Sequence, residues 1–242
     1  MNVALIIAGG SGKRFGADRP KQYVEVMGKP IIIHCLDNYE KSPDIDAIEV
    51  VCRDEYRDYI WEQARKFGIT KLRWVNTSGA EAQDSIRNGV YAMRDVMKDD
   101  DILFMHTSVH PMITQEAIRD SIEMARDKGC SFAMYPIRIV MARKMAENWT
   151  TQNAFKEDFI ELNGPWSFRY GEVYNLYREA DQLNMGKSVR DYTLTLWMDM
   201  GHRAYYYPGC DIGRMKITTA FDVVVFEAYL KSQQKEAENN HE

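Results

Sequence analysis

Three stretches of the sequence carry side chains able to do chemistry. The first is residues 5–23, LIIAGGSGKRFGADRPKQY. An apolar run ending at Ala8 breaks into Gly9, Gly10, Ser11 and Gly12, then delivers Lys13, Arg14 and, after Pro20, Lys21. Glycines let a backbone come close to a ligand because no Cβ intrudes. A loop rich in free N–H groups, with Arg14 and Lys21 beside it, suits a polyphosphate. The spacing is neither G-x-x-x-x-G-K-[ST] nor G-x-G-x-x-G. Glycines that merely relieve crowding at a strand-to-helix turn are the other reading; the arginine and the Pro-Lys-Gln behind them favour the anion. The second stretch is residues 106–111, HTSVHP. His106 and His110 are four apart at a strand end, not on a helix face, and lack a third ligand, which argues against zinc. A titrating His110 near a substrate phosphate fits the intrinsic range of imidazole better. The third is residues 215–218, MKIT. Lys216 lies between apolar neighbours, so it is expected to point into a cleft.

These residues need a scaffold. Residues 3–8 and 47–52 read as buried strands, and residues 72–75 as a third short one. Helical periodicity covers 56–67 and 114–128, with Thr114 a natural cap, and Pro30 suits the first turn of a helix over 29–40. His34 in that helix is read as a packed residue. The strand–helix rhythm predicts a three-layer α/β fold with a mostly parallel, Rossmann-like sheet. Ligands bind such sheets at the carboxyl ends of the strands, where residues 9–12, 76–80 and 106–111 all fall. Residues 131–139 read as a strand, and Pro136 argues for an edge position or a departure from the sheet. The rhythm then fades over 140–165. Residues 204–207 are a further strand. The expected organisation is one domain, 1–231, with an arm at about 137–166 and a fraying polar tail, 232–242.

Composition excludes several classes. Hydrophobic content of 45% and charged content of 28% describe a globular chain. A net charge of −5 gives no reason to expect nucleic acid or an anionic membrane as partner. Four scattered cysteines form no CxxC pair, so reduced thiols in a cytoplasm are expected. No charged region precedes the first apolar run, and no run approaches membrane-spanning length.

The opening signature, AGGSGKRFG followed by RPKQY, resembles that of the cytidylyltransferases, including the methylerythritol-phosphate and ribitol-phosphate enzymes. Residues 78–90 (SGAEAQDSIRNGV), 100–114 (DDILFMHTSVHPMIT) and 214–230 (RMKITTAFDVVVFEAYL) are similar to later family segments in order and spacing. The resemblance implies a nucleotide-diphospho-sugar transferase type of fold, CTP as substrate, Mg²⁺ as cofactor and a phosphorylated small-molecule acceptor. It implies that Ala8, Gly9, Gly10, Ser11 and Gly12 cradle the triphosphate. The backbone at Gly79 and Ala80 would read the base, and Ser85 would touch the ribose. An alternative for this segment is a turn and helix start capped by Asp84 or Ser85. Arg14 and Lys21 are assigned to the nucleotide phosphates, and Lys216 to the α-phosphate and the acceptor.

The acceptor side departs from the family. Where the family reads H-D-A-x-R-P, its aspartate helping to hold Mg²⁺, this chain has Thr107 and His110 in place of the aspartate and the arginine. Either the nucleotide's phosphates hold most of the metal, with Thr107 acting through water, or the chain binds a nucleotide without turning it over. Lys156 stands where the family uses an arginine that reaches a partner's active site, and Gly164-Pro165-Trp166 where it reads Thr-Pro-Gln. Asp211 is offered near the position of a family metal aspartate, out of register. Together these changes imply an altered acceptor, with Thr107, His110 and Lys156 facing it. The aromatic-rich arm implies a homodimer; a lid acting within one chain is the other reading. Three functions stay open: transfer of CMP to a phosphorylated polyol or sugar, nucleotidyl transfer with another base, and nucleotide binding without catalysis.

Overall fold

The computed structural model describes residues 1–10, 19–185 and 192–239. The first half holds β1 (Asn2–Ala8), β2 (Glu25–Val26), β3 (Lys29–Pro30), α1 (Ile31–Lys41), β4 (Ala47–Cys52), α2 (Arg57–Lys66), β5 (Leu72–Thr77), α3 (Ala82–Ala92) and β6 (Ile102–Thr107). Next come α4 (Gln115–Lys128), β7 (Cys130–Pro136), β8 (Met141–Ala142), β9 (Asn153–Ala154) and β10 (Ile160–Arg169). The chain closes with α5 (Tyr170–Gln182), α6 (Thr193–Asp199), β11 (Tyr206–Pro208) and α7 (Ala220–Asn239).

The central strand is β1, with β4 and β6 parallel on either side. Its apolar run has no polar face because both faces are covered. Ala4, Ile6 and Ala8 enter one core, shared with α1, α2 and α4. Val3, Leu5 and Ile7 enter the other, shared with α3, α5 and α6. Each valine, leucine or isoleucine so buried contributes roughly 1.5–3 kcal/mol, which is why this run resists any other register. The full sheet order is β11-β7-β10-β6-β1-β4-β5, and β10 alone runs against its neighbours. That is the three-layer, mostly parallel α/β arrangement expected from the sequence. Among the described residues, no helix is long and apolar enough to cross a membrane. All four cysteines are free thiols.

Several local expectations need correction. β7 is an interior strand, paired with β11 on one side and β10 on the other. Pro136 is tolerated because β11 stops opposite Met134, so no neighbour on that side needs the missing N–H. The strand expected over 204–207 is Tyr206–Pro208. The excursion is shorter than 137–166, because β10 begins at Ile160 and returns to β7. Trp166 therefore belongs to the sheet, is only 4% exposed and packs in the core beside α6. The tail does not fray at residue 232: α7 runs on to Asn239. Thr114 caps α4 as expected, accepting the Ala117 N–H at 3.2 Å.

Candidate active site

Backbone bonds gather the strand tips. The Ser108 N–H donates to the Ile7 carbonyl at 3.0 Å, and the Ser78 N–H to the Cys52 carbonyl at 2.7 Å. They border a cleft of about 600 Å³ at the carboxyl ends of β1, β5 and β6. Gly9 and Gly10 lie on its floor, with Gly79, Ala80 and Ser85 along one wall. The glycines are needed for close approach. A Cβ on Gly9 would stand 2.7 Å from Ser78 Cβ, and one on Gly79 2.2 Å from Asp84 Cβ.

The wall beside Gly79 is self-satisfied. Ser85 Oγ accepts the Gly79 N–H at 3.1 Å and donates to the Glu81 carbonyl at 3.0 Å. Gly79, Ala80 and Ser85, expected at the base and the ribose, thus line the cleft, with the Gly79 N–H and the Ser85 hydroxyl hydrogen bonded within the loop. Neither Asp84 nor Ser85 caps α3. Glu81 does, with Asp84 closing a reciprocal capping box, so the α3 N-terminus opens on the cleft beside Glu81 and Ala82.

Gln22 organises the opening loop. It is 2% exposed, and its amide nitrogen donates at 2.8 Å to both the Ala8 and Gly10 carbonyls. Both amide hydrogens are thus spent on the strand tip. Tyr23 beside it is buried and stacks on Tyr56 with centroids 4.1 Å apart. Lys21 precedes these two anchors and lines the cleft.

Lys216 arrives from the far end of the chain. It does not end a strand, as the sequence suggested; the segment 215–218 is an irregular run before α7. Its anchor is the next residue: buried Ile217 donates its N–H to the Val109 carbonyl at 2.9 Å. Lys216 Nζ then lines the cleft and reaches Tyr192 Oη at 3.4 Å. Asp222 fixes the turn that follows. Its carboxylate is partly desolvated, yet the Thr219 and Thr218 N–H groups hold its pKa below the usual range. Lys21 and Lys216 thus share one cleft, as expected. Arg14, Ser11 and Gly12 lie outside the described residues.

The β6 tip differs from expectation. Thr107 lines the cleft, but His110 does not. His110 is 3% exposed, stacked on His106 with ring centroids 4.9 Å apart. Burial, then His106, Lys216 and Lys21, holds the His110 pKa well below the usual range. Burial, with Lys216 behind it, pushes His106 down to about 3. Burial thus disfavours the charged form of both rings, and His110 lies beneath the cleft lining rather than in the position expected of an acceptor contact. Gly164 packs toward His106, and Trp166 packs against Tyr192, which lines the cleft. Lys156 sits in the arm, bordering a separate groove with Arg138 and Phe155, and does not enter its own chain's cleft.

The metal assignment fails on geometry. Asp211 does not line the cleft; it pairs with Arg138 at 2.9 Å. Among the described residues, no three His, Cys, Asp or Glu side chains are grouped to hold a metal. Glu81, the carboxylate on the described cleft wall, is occupied as the α3 cap. These donors do not make a protein-built Mg²⁺ site.

Sequence reasoning overlooked three residues. Gln22 was in the quoted motif but given no role. Arg53 lines the cleft just beyond β4, paired with Glu55 at 2.6 Å. A basic residue at the carboxyl end of a buried strand was the available signal. Tyr192, beside Lys216, follows a polar segment and carries no local signal.

A family profile described as "IspD: 2-C-methyl-D-erythritol 4-phosphate cytidylyltransferase" matches residues 2–232. The chain is similar to the ribitol-5-phosphate cytidylyltransferase of Lacticaseibacillus paracasei, with 33% identity over 97% of this chain and 100% of the relative. It is also similar to the 2-C-methyl-D-erythritol 4-phosphate cytidylyltransferase of Geotalea uraniireducens, with 32% identity over 97% of this chain and 98% of that one. The crystal structure of 4-diphosphocytidyl-2C-methyl-D-erythritol synthase from Anaerococcus prevotii shares the fold. Its TM-score is 0.76 at 18% identity, covering 96% of each chain. A strand-tip cleft lined by lysines from both ends of the chain is thus found on a matching fold and a full-length family match: the chain belongs to the 2-C-methyl-D-erythritol 4-phosphate cytidylyltransferase family of nucleotidyltransferase enzymes.

Proposed function

We propose that this enzyme transfers CMP from CTP to the phosphate of a phosphorylated polyol, with a pentitol phosphate such as ribitol 5-phosphate as acceptor. The observation that carries the reading is the meeting of Lys21 and Lys216 over a glycine floor. An acceptor phosphate oxygen attacks the α-phosphorus of CTP. A new P–O bond forms there, the bond to the β-phosphate bridge breaks, and pyrophosphate leaves with the electron pair. The attacking phosphate is already ionised, so no protein base is required. Two anions must approach, and fixed cations in a desolvated cleft oppose their repulsion while positioning supplies the rest. Lys21 serves the nucleotide phosphates, with Arg14 as its expected companion. Lys216 stands between the α-phosphate and the acceptor. Mg²⁺ would accompany the nucleotide as part of the substrate.

The pentitol acceptor is supported by similarity to the Lacticaseibacillus ribitol-5-phosphate enzyme and by the neutral Thr107 at the β6 tip. Pyrophosphate release measured with four nucleoside triphosphates against a panel of phosphorylated polyols and sugars tests it. CTP with a pentitol phosphate should turn over fastest. Preferred turnover of methylerythritol phosphate would overturn the acceptor, and preferred use of another triphosphate would overturn the base. Neutral Thr107 also favours a second reading, nucleotide binding without turnover. Calorimetric CTP binding with no pyrophosphate released from any acceptor would establish it.

The arm completes the reading. Ile139, Val140 and Phe155 are exposed beside the short two-stranded ribbon, and Trp149 is exposed in the stretch that joins its strands. A homodimer in which this ribbon covers a partner, bringing Lys156 toward the partner's cleft, would bury them. Free thiols fit a reducing cytoplasm.

A further inference from the structure

One hydrogen bond at the tip of β6 decides what the cleft floor offers a substrate. Residues 107–110 form a tight turn, closed by the His110 N–H donating to the Thr107 carbonyl at 3.3 Å. This turn folds the imidazole back, so that Nδ1 meets Thr107 Oγ1 at 2.5 Å. Thr107 lines the cleft, whereas the His110 ring lies beneath it. His110 Nε2 is buried and meets no hydrogen-bond partner among the described residues.

A neutral imidazole has one ring proton and two places to put it. On Nε2, it would make a buried N–H with no described protein group to receive it. On Nδ1, it leaves only a bare lone pair inside, a lesser loss, because orphaned donors are rarer in folded proteins than under-used acceptors. The groups acting on the ring are His106, Lys21 and Lys216, and the two ammonium groups disfavour a second proton. We propose that His110 donates through Nδ1 to Thr107, and that Thr107 therefore turns its own hydroxyl hydrogen into the cleft, toward an oxygen of the phosphorylated acceptor. Thr107 is then a hydrogen-bond donor rather than a neutral metal ligand. His110 is a positioning residue that sets the direction of that bond and never touches substrate. This rests on the acceptor reading above and names the polarity of its contact. A donor at this point suits a phosphate or polyol oxygen; a carboxylate would repel the phosphate.

The ring tautomer can be read without turnover. Histidine-selective isotope labelling of the full chain, followed by proton–nitrogen correlation, reports which ring nitrogen is protonated. The His110 signal is the one lost in His110→Asn. A protonated Nδ1 and bare Nε2, unchanged from about pH 6 to about pH 8, are expected; a protonated Nε2 overturns the proposal. Kinetics with the acceptor that the unmodified enzyme prefers give the second arm. Thr107→Ser should stay within about threefold, while Thr107→Val should raise the acceptor KM about tenfold and leave the CTP KM unchanged. His110→Leu should behave like Thr107→Val. His110→Asn, whose amide N–H can take the Nδ1 role, should recover most of the loss. Thr107→Asp should be worse than Thr107→Val; activity at or above the unmodified level would show that the site needs an acceptor and would overturn the proposal. An unmodified enzyme inactive on every acceptor would sink the acceptor reading instead, and the tautomer would still decide the direction of the bond.

Discussion

The cleft and the arm are built on opposite principles. Three cleft residues each have a buried neighbour that holds them: Gln22 pins the loop beside Lys21, Ile217 anchors Lys216, and His110 lies under Thr107. The arm has two strands of two residues each, and Val140 on it is 92% exposed. Chemistry that depends on positions to a fraction of an ångström needs rigid support, which the chain supplies by itself. A ribbon of exposed apolar side chains gains its support only from a surface that covers it. The contrast separates a cleft braced from within the chain from an arm whose apolar side chains stand exposed on it.

The sharpest way to break that comparison is to remove a cation that the core holds in place. Lys216→Ala should lower kcat by about 10²–10³ with little change in melting temperature. Near-normal steady-state turnover would show that the cleft is not where charge is stabilised. Gln22→Leu should come next, because it orphans the Ala8 and Gly10 carbonyls. A loss of about 1–3 kcal/mol in denaturant unfolding is expected, with roughly tenfold weaker CTP binding by calorimetry. Unchanged CTP affinity would mean that the loop needs no brace.

The arm should respond the other way. Val140→Asp with Phe155→Asp should dissociate the proposed dimer and reduce turnover several-fold, while the folding stability of the separated chain moves by no more than about 0.5 kcal/mol. Sedimentation together with CTP calorimetry checks both halves; an unmodified chain that sediments as a monomer would remove the arm's proposed role. The smallest effect on activity is expected deep in β4. Burial raises the Glu49 carboxyl from 4.5 to about 8, although the Asn76 amide donates to it at 2.8 Å. Its folded-state pKa lies above the unfolded one, so its contribution to stability is complete below about pH 4.5 and is lost as pH climbs toward 8. Glu49→Gln should flatten that decline. Its advantage in unfolding free energy should grow from pH 5 to pH 8 to a few kcal/mol, with kcat unchanged. An advantage that shrinks with rising pH would contradict the assignment.

Legibility followed the range of the interaction. β1, the Thr114 cap and the inward direction of Lys216 rest on a few adjacent residues, and the sequence displays them. Gln22 looks like any polar residue until the chain turns back over residues 8–10. Trp166 read as part of an exposed excursion because the apolar strand that buries it is distant in the chain. His110 read as a substrate ligand for a related reason: its turn, not its residue type, sends the ring inward.

By itself the sequence determined the alternation that buries β1 on both faces, the glycine loop, and the charges delivered near it. These are properties of local pattern, fixed by the periods of strand and helix and by the absence of side chains at Gly9 and Gly79. Only tertiary structure decided which polar groups remain free to meet a substrate. Ser85 and Asp211 were candidates on residue type alone, and folding gave both of them partners. A side chain's chemistry belongs to its residue type; its availability depends on which hydrogen-bonding groups the rest of the fold brings beside it.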